Sequence, residues 1–144
     1  MLEGAVAPDQ SRLVLDNDMN ELGRMTQWIL EVCTASGVSE KTAFALQLCL
    51  EEAVTNIMRH SGSIGHASKI AMSIALKRAD VVLTIEDDGG PFDPTAFAAR
   101  PQAQSLEQAS VGGLGIGLMR RFAREIEYRR DTGHNHLRLT LPRA

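Results

Sequence analysis

The chain has 144 residues with 44% hydrophobic and 23% charged side chains, a composition typical of one soluble globular domain with its own core. No apolar run approaches the roughly 18 residues of a membrane-spanning helix, and the N-terminus lacks the basic start and apolar stretch of an export signal, so a cytoplasmic protein without membrane contact is expected. The net charge of −3 is uneven, because residues 112–144 hold seven arginines against three acidic residues, and this pattern does not indicate direct nucleic-acid binding.

The first part of the chain predicts one strand and two helices. A short strand is expected at 11–16, and Asp18 with Glu21 resembles a capping box at the start of a helix that Gly37 ends. A second helix is expected from about 39 to 61. Its core face is marked by apolar residues at helical spacing, namely Leu46, Cys49, Ala53 and Ile57.

The second part of the chain predicts two hairpins and a helix. Residues 69–77 and 81–85 alternate apolar and polar side chains, so they are expected to pair as an antiparallel hairpin. Residues 93–111 are rich in Ala, Gln and Ser with weak periodicity, which predicts a long lid. A Gly-rich turn at 112–117 then leads into a helix, and a last hairpin turns at 131–135.

Strands grouped in antiparallel pairs, with helices on one side, indicate an α+β fold in the form of a two-layer α/β sandwich. Residues 1–10 are expected to be an N-terminal extension and 11–144 a single domain. Cys33 and Cys49 lie in helical apolar patterns without a CxxC spacing or a histidine partner. They are therefore expected to be buried thiols in a reducing compartment.

The Gly-rich stretch "GGLGIGLM" could bind phosphate groups. Glycines let backbone N–H groups approach an anion, and a following helix N-terminus adds positive potential. The spacing fits neither the P-loop nor the dinucleotide-binding GxGxxG pattern. Taken alone, a structural turn explains these glycines equally well.

Two carboxylates follow the predicted strand that contains 81–85. Asp87 and Asp88 precede two glycines, and a carboxylate fixed at a strand end can accept a hydrogen bond from an amino group such as that of adenine. An ordinary Asp-Gly turn is the alternative.

The stretch "EEAVTN" places a carboxylate and an amide beside the apolar stripe of the second helix. Glu52 and Asn56 are four residues apart, so they stack on one side of that helix. An amide oxygen can ligate Mg²⁺, and a carboxylate one turn away can take a proton from a hydroxyl. The alternative is a partly exposed glutamate and a helix-interior asparagine.

In this order, "EAVTN", "DDGG" and "GLGIG" resemble the N, G1 and G2 boxes of the GHKL ATPase superfamily. Within that superfamily, "LEEAVTNIMRHS", "IEDDGGPFDP" and "GGLGIGLMRRFAREIEYRRDTGHNHLRL" are similar to the anti-sigma-factor serine/threonine protein kinases of bacterial partner-switching systems. The resemblance covers roughly residues 10–142. Pro91 stands where the common DxGxG pattern has its second glycine, and Asp88 remains a second candidate for the adenine contact.

The resemblance implies a histidine-kinase-like ATPase fold with a mixed, mostly antiparallel sheet, and ATP and Mg²⁺ as cofactors. It implies that Asn56 ligates Mg²⁺, that Glu52 is the base for the attacking hydroxyl, and that Asp87 with Gly89 binds adenine. The phosphates would be contacted by Gly113, Leu114, Gly115, Ile116 and Gly117.

The resemblance also implies protein partners. The expected substrate is an anti-anti-sigma factor with a STAS domain, and the rival partner is a sigma factor. Asn20 and Arg24 match a position on the first helix that the family uses for partner contact. Members of the family are often dimers, so a homodimer is considered, although no interface is identified.

Two other functions are compatible with these motifs. One is a partner-binding module that uses nucleotide without phosphotransfer. The other is a detached histidine-kinase ATPase domain, which needs a phospho-accepting histidine on a helical hairpin, and none is expected before the first strand. A DNA-topology or mismatch-repair ATPase is not expected, because a transducer domain is missing.

Overall fold

The computed structural model describes residues 10–64, 69–97 and 114–144. In these residues, one sheet has the strand order β1-β2-β3-β5-β4. The strands are β1 (Gln10–Asp16), β2 (Lys69–Leu76), β3 (Asp80–Asp87), β4 (Glu125–Asp131) and β5 (His134–Pro142). Every described pairing is antiparallel, so the mixed sheet that the resemblance implied is not seen here. Most of the expected N-terminal extension (1–9) and most of the expected lid (98–111) lie outside the described residues.

Three described helices cover one face of this sheet. They are α1 (Leu22–Ser36), α2 (Glu40–Ile64) and α3 (Leu114–Phe122), with short 3-10 turns at Met19–Glu21 and Pro94–Phe97. A single core cluster joins the buried faces of α1, α2 and α3 to alternate residues of the strands. The two-layer α+β sandwich predicted from the sequence is therefore confirmed.

The central strands place apolar side chains toward the helices at every second position. Ile70, Met72 and Ile74 of β2 are buried, as are Leu83 and Ile85 of β3. On the other sheet face the rows are polar and half-exposed, and Thr84 lies opposite Arg138 and Glu86 opposite His136. This alternation confirms the predicted hairpin, because side chains of a strand point to opposite faces in turn.

The start of α1 differs from the predicted capping box. Asp18 accepts a hydrogen bond from the N–H of Asn20 at 2.9 Å and caps the 3-10 turn. The carboxylate of Glu21 instead accepts from the N–H of Asp16 at 3.1 Å, so the reciprocal bond of a capping box is not made. The predicted end of the helix is confirmed, because Gly37 adopts φ +70°, a conformation that glycine allows at low cost.

The glycine-rich stretch is more helical than the sequence suggested. Helix α3 already begins at Leu114, inside the stretch 112–117 that was expected to be a turn. Gly115 and Gly117 therefore lie in the first helical turn of α3. Ile116 and Met119 are buried in the core, which fixes this turn against the sheet. The first backbone N–H groups of α3 therefore have no partner within the helix.

Both cysteines are free and buried, as predicted. Burial raises the pKa of the Cys49 thiol to about 12, with the neighbouring Glu52 charge as a second cause, and it also raises the pKa of Cys33. The thiols therefore behave as small apolar side chains. No helix in the described ranges is long and apolar enough to cross a membrane.

Leu83 tests the contribution of the core. It is fully buried on the central strand β3, so Leu83→Ala is expected to lower the free energy of unfolding by about 2–5 kcal/mol through lost contacts and a cavity. Leu30→Ala is the control, because Leu30 is 47% exposed on α1 and should cost less than about 0.5 kcal/mol. Urea unfolding followed by circular dichroism measures both, and equal losses would contradict this core.

Candidate functional site

A pocket opens at one end of the sheet, between α2, α3 and the ends of β3, β4 and β5. Its enclosed volume is small, about 20 Å³, and the empty space counted out to the open mouth is about 320 Å³. Most of the lining is apolar and comes from the two helices and the strands. The polar lining consists of four side chains, Asn56, Asp87, Tyr128 and Asn135.

Asp87 is the carboxylate that faces this pocket. It is 6% exposed, and its Oδ1 accepts hydrogen bonds from the Gly89 N–H at 2.8 Å and from the Asn135 side-chain amide at 3.0 Å. No donor within the described part of the chain reaches Oδ2. A buried carboxylate is costly unless it is hydrogen-bonded, so Oδ1 is satisfied by the protein while Oδ2 can accept a bond from a ligand.

Asp88 points elsewhere. It is exposed and does not line the pocket, and its Oδ1 accepts from the Lys69 N–H at 3.2 Å on the neighbouring strand. Of the two carboxylates that the sequence left open, the geometry therefore favours Asp87 as the group that contacts a ligand.

Asn135 connects Asp87 to the surrounding loops. It lies opposite Asp87 in the β3–β5 register and is 5% exposed. Its amide nitrogen also donates to the Gly90 carbonyl at 2.8 Å. Its oxygen accepts from the Tyr128 hydroxyl and from Arg130 at 3.0 Å. One side chain thus holds the carboxylate, the Gly-Gly turn and strand β4 in a fixed arrangement.

The loop after the glycines packs back onto α2. The rings of His60 and Phe92 stack with centroids 4.6 Å apart and an angle of 26° between planes. His60 of α2 therefore lies against the loop that borders the pocket. The backbone N–H of Phe92 also donates to Asn135 at 3.4 Å.

Asn56 brings a buried oxygen to the other side of the pocket. It is 4% exposed, and its Oδ1 accepts a hydrogen bond from the Arg59 guanidinium at 2.8 Å. A positively charged group thus already contacts the oxygen that the sequence assigned to Mg²⁺. A carbonyl oxygen is a suitable magnesium ligand, and an ion bound there would have to displace the Arg59 guanidinium that now occupies it.

Glu52 lies one helical turn before Asn56 and is half-buried. It does not line the pocket itself. The structure therefore brings Asn56 and Asp87 to one cavity and leaves Glu52 beside it on the same helix.

The first turn of α3 supplies the predicted phosphate-binding region. The side chain of Ile116 is buried, so only its backbone N–H could face an anion. A Cβ added to Gly117 would meet nothing within 4 Å, so packing inside the described chain does not require glycine there. That open space permits close approach of a ligand. Gly113 lies outside the described residues, and Leu114 and Gly115 are described only as the first residues of α3.

Asn20 lies in the 3-10 turn before α1 and Arg24 in the first turn of α1, and both are exposed. The guanidinium of Arg24 bonds to the Glu21 carboxylate at 3.1 Å and to the Val14 carbonyl at 2.9 Å. These contacts hold the pKa of Glu21 below its ordinary value, with the Arg24 hydrogen bond as the largest cause. The pair sits at the same end of the sheet as Asp87, because β1 ends beside the start of β2.

Sequence reasoning missed four residues of the site, namely Arg59, Tyr128, Arg130 and Asn135. The alternation along β5 could have placed Asn135 on the buried face with Leu137 and Leu139. A polar side chain on a buried face indicates a hydrogen-bond partner inside the protein. Nothing in the sequence pairs Asn135 with Asp87, because the two are 48 positions apart.

Comparison with known proteins identifies the family of this chain. Residues 15–141 match the domain model described as histidine kinase-like ATPase domain. The serine/threonine-protein kinase BtrW of Bordetella bronchiseptica is 38% identical over 113 residues, which are 78% of this chain and 80% of that protein. The chain belongs to the histidine kinase-like ATPase family. Its enzyme class is that of the serine/threonine protein kinases, and it binds ATP.

Two more distant proteins are also similar to this chain. The serine-protein kinase RsbW of Bacillus pumilus is 26% identical over 112 residues, 69% of each chain. Among solved structures, the Acinetobacter baumannii histidine kinase AdeS is similar with a TM-score of 0.49 and 13% identity, over 92% of this chain and 68% of that one. The family assignment rests on the domain model and the kinase sequences.

The two aspartates can be separated by one substitution each. Asp87→Asn is expected to weaken Mg·ATP binding at least roughly tenfold, because a single amide oxygen cannot both keep the internal bonds and accept from the ligand. Asp88→Asn is the matched control and should change the affinity less than about twofold. Isothermal titration calorimetry measures both, and equal losses would exclude the assignment of Asp87.

Asn135→Ala tests the hydrogen-bond network. The substitution leaves Asp87 with one protein donor and removes the acceptor of Tyr128 and Arg130. We therefore expect the affinity for ATP to fall about tenfold and the free energy of unfolding to fall by about 1–3 kcal/mol. His136→Ala is the control, since it lies next on β5 but faces the other side of the sheet. Unchanged nucleotide affinity in Asn135→Ala would show that the network does not position Asp87.

Proposed function

We propose that this kinase transfers the γ-phosphate of ATP to a serine or threonine of a STAS-domain anti-anti-sigma factor, and that it holds a sigma factor as the rival partner. The observation that carries the proposal is the arrangement on α2, where Glu52 stands one turn from Asn56 and Asn56 shares a pocket with Asp87. The similar proteins BtrW and RsbW are a serine/threonine-protein kinase and a serine-protein kinase, which supports hydroxyl groups as acceptors.

In this proposal the adenine end of ATP lies at Asp87. Its Oδ2 accepts a hydrogen bond from the exocyclic amine, while the Gly89 N–H and Asn135 keep the carboxylate in place. The backbone N–H groups at the start of α3, from 114 to 117, face the phosphates, as does Gly113 before them. The distance between these two ends of the site is set by the sheet and the packed side chains of α3.

Phosphotransfer then needs a base and a charge-neutralising cation. The acceptor hydroxyl oxygen attacks the γ-phosphorus, the bond from that phosphorus to the β,γ-bridging oxygen breaks, and ADP leaves, while Glu52 takes the hydroxyl proton. Asn56 would hold Mg²⁺ through Oδ1, and the ion when bound neutralises phosphate charge. Arg59, released from Asn56, keeps its positive charge on the same turn.

The partner switch follows from the product. A phosphate added to the anti-anti-sigma factor brings about −1.5 to −2 charges to the surface that had met the kinase, which weakens that complex by repulsion and desolvation. Asn20 and Arg24 are the proposed partner contacts at the start of α1. The reaction would take place in the cytoplasm, in keeping with two free buried thiols. A homodimer remains part of the proposal without an assigned interface.

Glu52→Ala tests the base. We expect nucleotide affinity close to that of the wild type and a phosphotransfer rate lower by about 10²–10⁴-fold, the usual contribution of general base catalysis. Glu51→Ala is the matched control, because Glu51 is the adjacent exposed glutamate and turns away from this side of α2. Undiminished transfer in Glu52→Ala, or equal losses in both variants, would remove Glu52 as the base.

The substrate class is tested by affinity capture in the presence of Mg·ATP and, separately, Mg·ADP, with phosphopeptide mass spectrometry of the captured proteins. The proposal predicts a sigma factor and a STAS protein carrying phosphoserine or phosphothreonine. Nucleotide binding without phosphorylation of any STAS protein would favour the non-catalytic module, and phosphohistidine would favour a histidine-kinase-type domain.

A further inference from the structure

An exposed apolar stripe leads along α2 to the proposed base. Phe44 is 60% exposed, although it is a large aromatic side chain, and Leu48 one turn later is half-buried. Phe44, Leu48 and Glu52 follow one another at four-residue steps, so they form a slanting stripe that turns about 40° around the helix at each step. An exposed apolar stripe that leads to the proposed base indicates a surface where another protein binds.

The helix α3 forms the second wall of this surface. The ring of Phe122 meets Phe44 edge to face at 6.3 Å between centroids. Leu118, four residues earlier on α3, is half-buried and lies on the same side as Phe122. α2 runs toward the pocket and α3 runs away from it, so Leu48 and Leu118, each one turn from the Phe44–Phe122 contact in the direction of the pocket, are expected to line the same stretch of surface. We name the surface of Phe44, Leu48, Leu118 and Phe122 the α2–α3 groove.

The far end of the α2–α3 groove is positively charged. Lys41 precedes Phe44 by three residues, and Arg121 adjoins Phe122, and both side chains are exposed. Among the described residues no carboxylate pairs with either of them. The other end leads to Glu52, which lies beside the pocket, and to the first turn of α3.

We propose that the α2–α3 groove docks the segment of the protein substrate that carries the phosphorylated hydroxyl, with an apolar side chain over Phe44 and an acidic group near Lys41 and Arg121. This inference rests on the proposed function and specifies how its substrate is held. Two observations select this occupant, namely the continuity of the groove with Glu52 and the positive charge at its far end.

The geometry sets a spacing for the substrate. Phe44 and Glu52 are eight residues apart on a helix, which corresponds to about 12 Å along its axis. An extended chain covers that length in three to four residues, at roughly 3.3 Å each. The substrate segment therefore carries an apolar residue three to four positions from the serine or threonine, with an acidic residue beyond it.

Initial-rate kinetics with Mg·ATP and a purified STAS-domain protein from the same genome test the groove. Phe44→Ala is expected to raise KM for the STAS protein about tenfold with kcat changed less than twofold, and to leave the Kd of Mg·ATP unchanged. Phe44→Leu should restore most of the loss, and Lys41→Glu should raise KM further for an acidic segment. Leu30→Ala, a comparably exposed apolar residue on α1, should leave KM as it is.

The outcomes separate the docking surface from the proposed function. Phosphorylation of the STAS protein with an unchanged KM in Phe44→Ala would overturn the groove alone. A weaker Kd for Mg·ATP in place of a raised KM would also overturn it, and would indicate that residues of this chain from 98–113 cover the groove. No phosphorylation by the wild-type enzyme would overturn the proposed function, and the groove with it. Circular dichroism confirms that each variant is folded.

Discussion

The contact between Asp87 and Asn135 is the interaction on which the pocket depends. A carboxylate that is 6% exposed must be hydrogen-bonded, and the fold meets this requirement with the Gly89 N–H and the side chain directly across the β3–β5 pair. Asn135 in turn holds the Gly90 carbonyl. The result is a carboxylate with one oxygen fixed by the protein and the other available for an amino group.

The helix α2 carries the remaining functions on different sides of one cylinder. Each four-residue step turns the helix by about 40°, since residues follow at roughly 100° intervals. Leu46, Leu50 and Ala53 therefore face the sheet, while Asn56 reaches the pocket and Glu52 lies farther round. Leu48 and Phe44, one and two turns before Glu52, lie still farther from the sheet and closer to solvent. One helix thus supports the core and, in the proposed function, would also ligate a cation, hold the base and present a docking surface.

Short-range patterns of the chain predicted the elements of the fold. The alternation in β2 and β3, the stripe of α2 and the glycine that ends α1 follow directly from residue spacing, and all three are confirmed. The ordered motifs also predicted the family. Helix α2 extends to Ile64, slightly beyond its predicted end, because no side chain in the sequence marks that boundary.

Contacts between distant residues could not be predicted in the same way. The pairing of Asp87 with Asn135 depends on the register of β3 against β5, and residue patterns within each strand do not predict that register. Glu21 turns to the Asp16 N–H because β1 lies beside the helix start, and that packing overrides the local capping pattern. The contact of Arg59 with Asn56 joins two side chains three residues apart on one turn of α2, and the sequence pattern alone does not reveal it.

The central claim is that this pocket delivers the γ-phosphate of ATP to a protein hydroxyl. The most direct measurement is a single-turnover reaction of the purified protein with γ-labelled ATP, Mg²⁺ and a purified STAS-domain protein, followed by acid and alkali treatment of the labelled product. The account predicts label on the STAS protein that survives acid and is identified as phosphoserine or phosphothreonine. Label that is lost in acid, or that is released only as free phosphate, would contradict it.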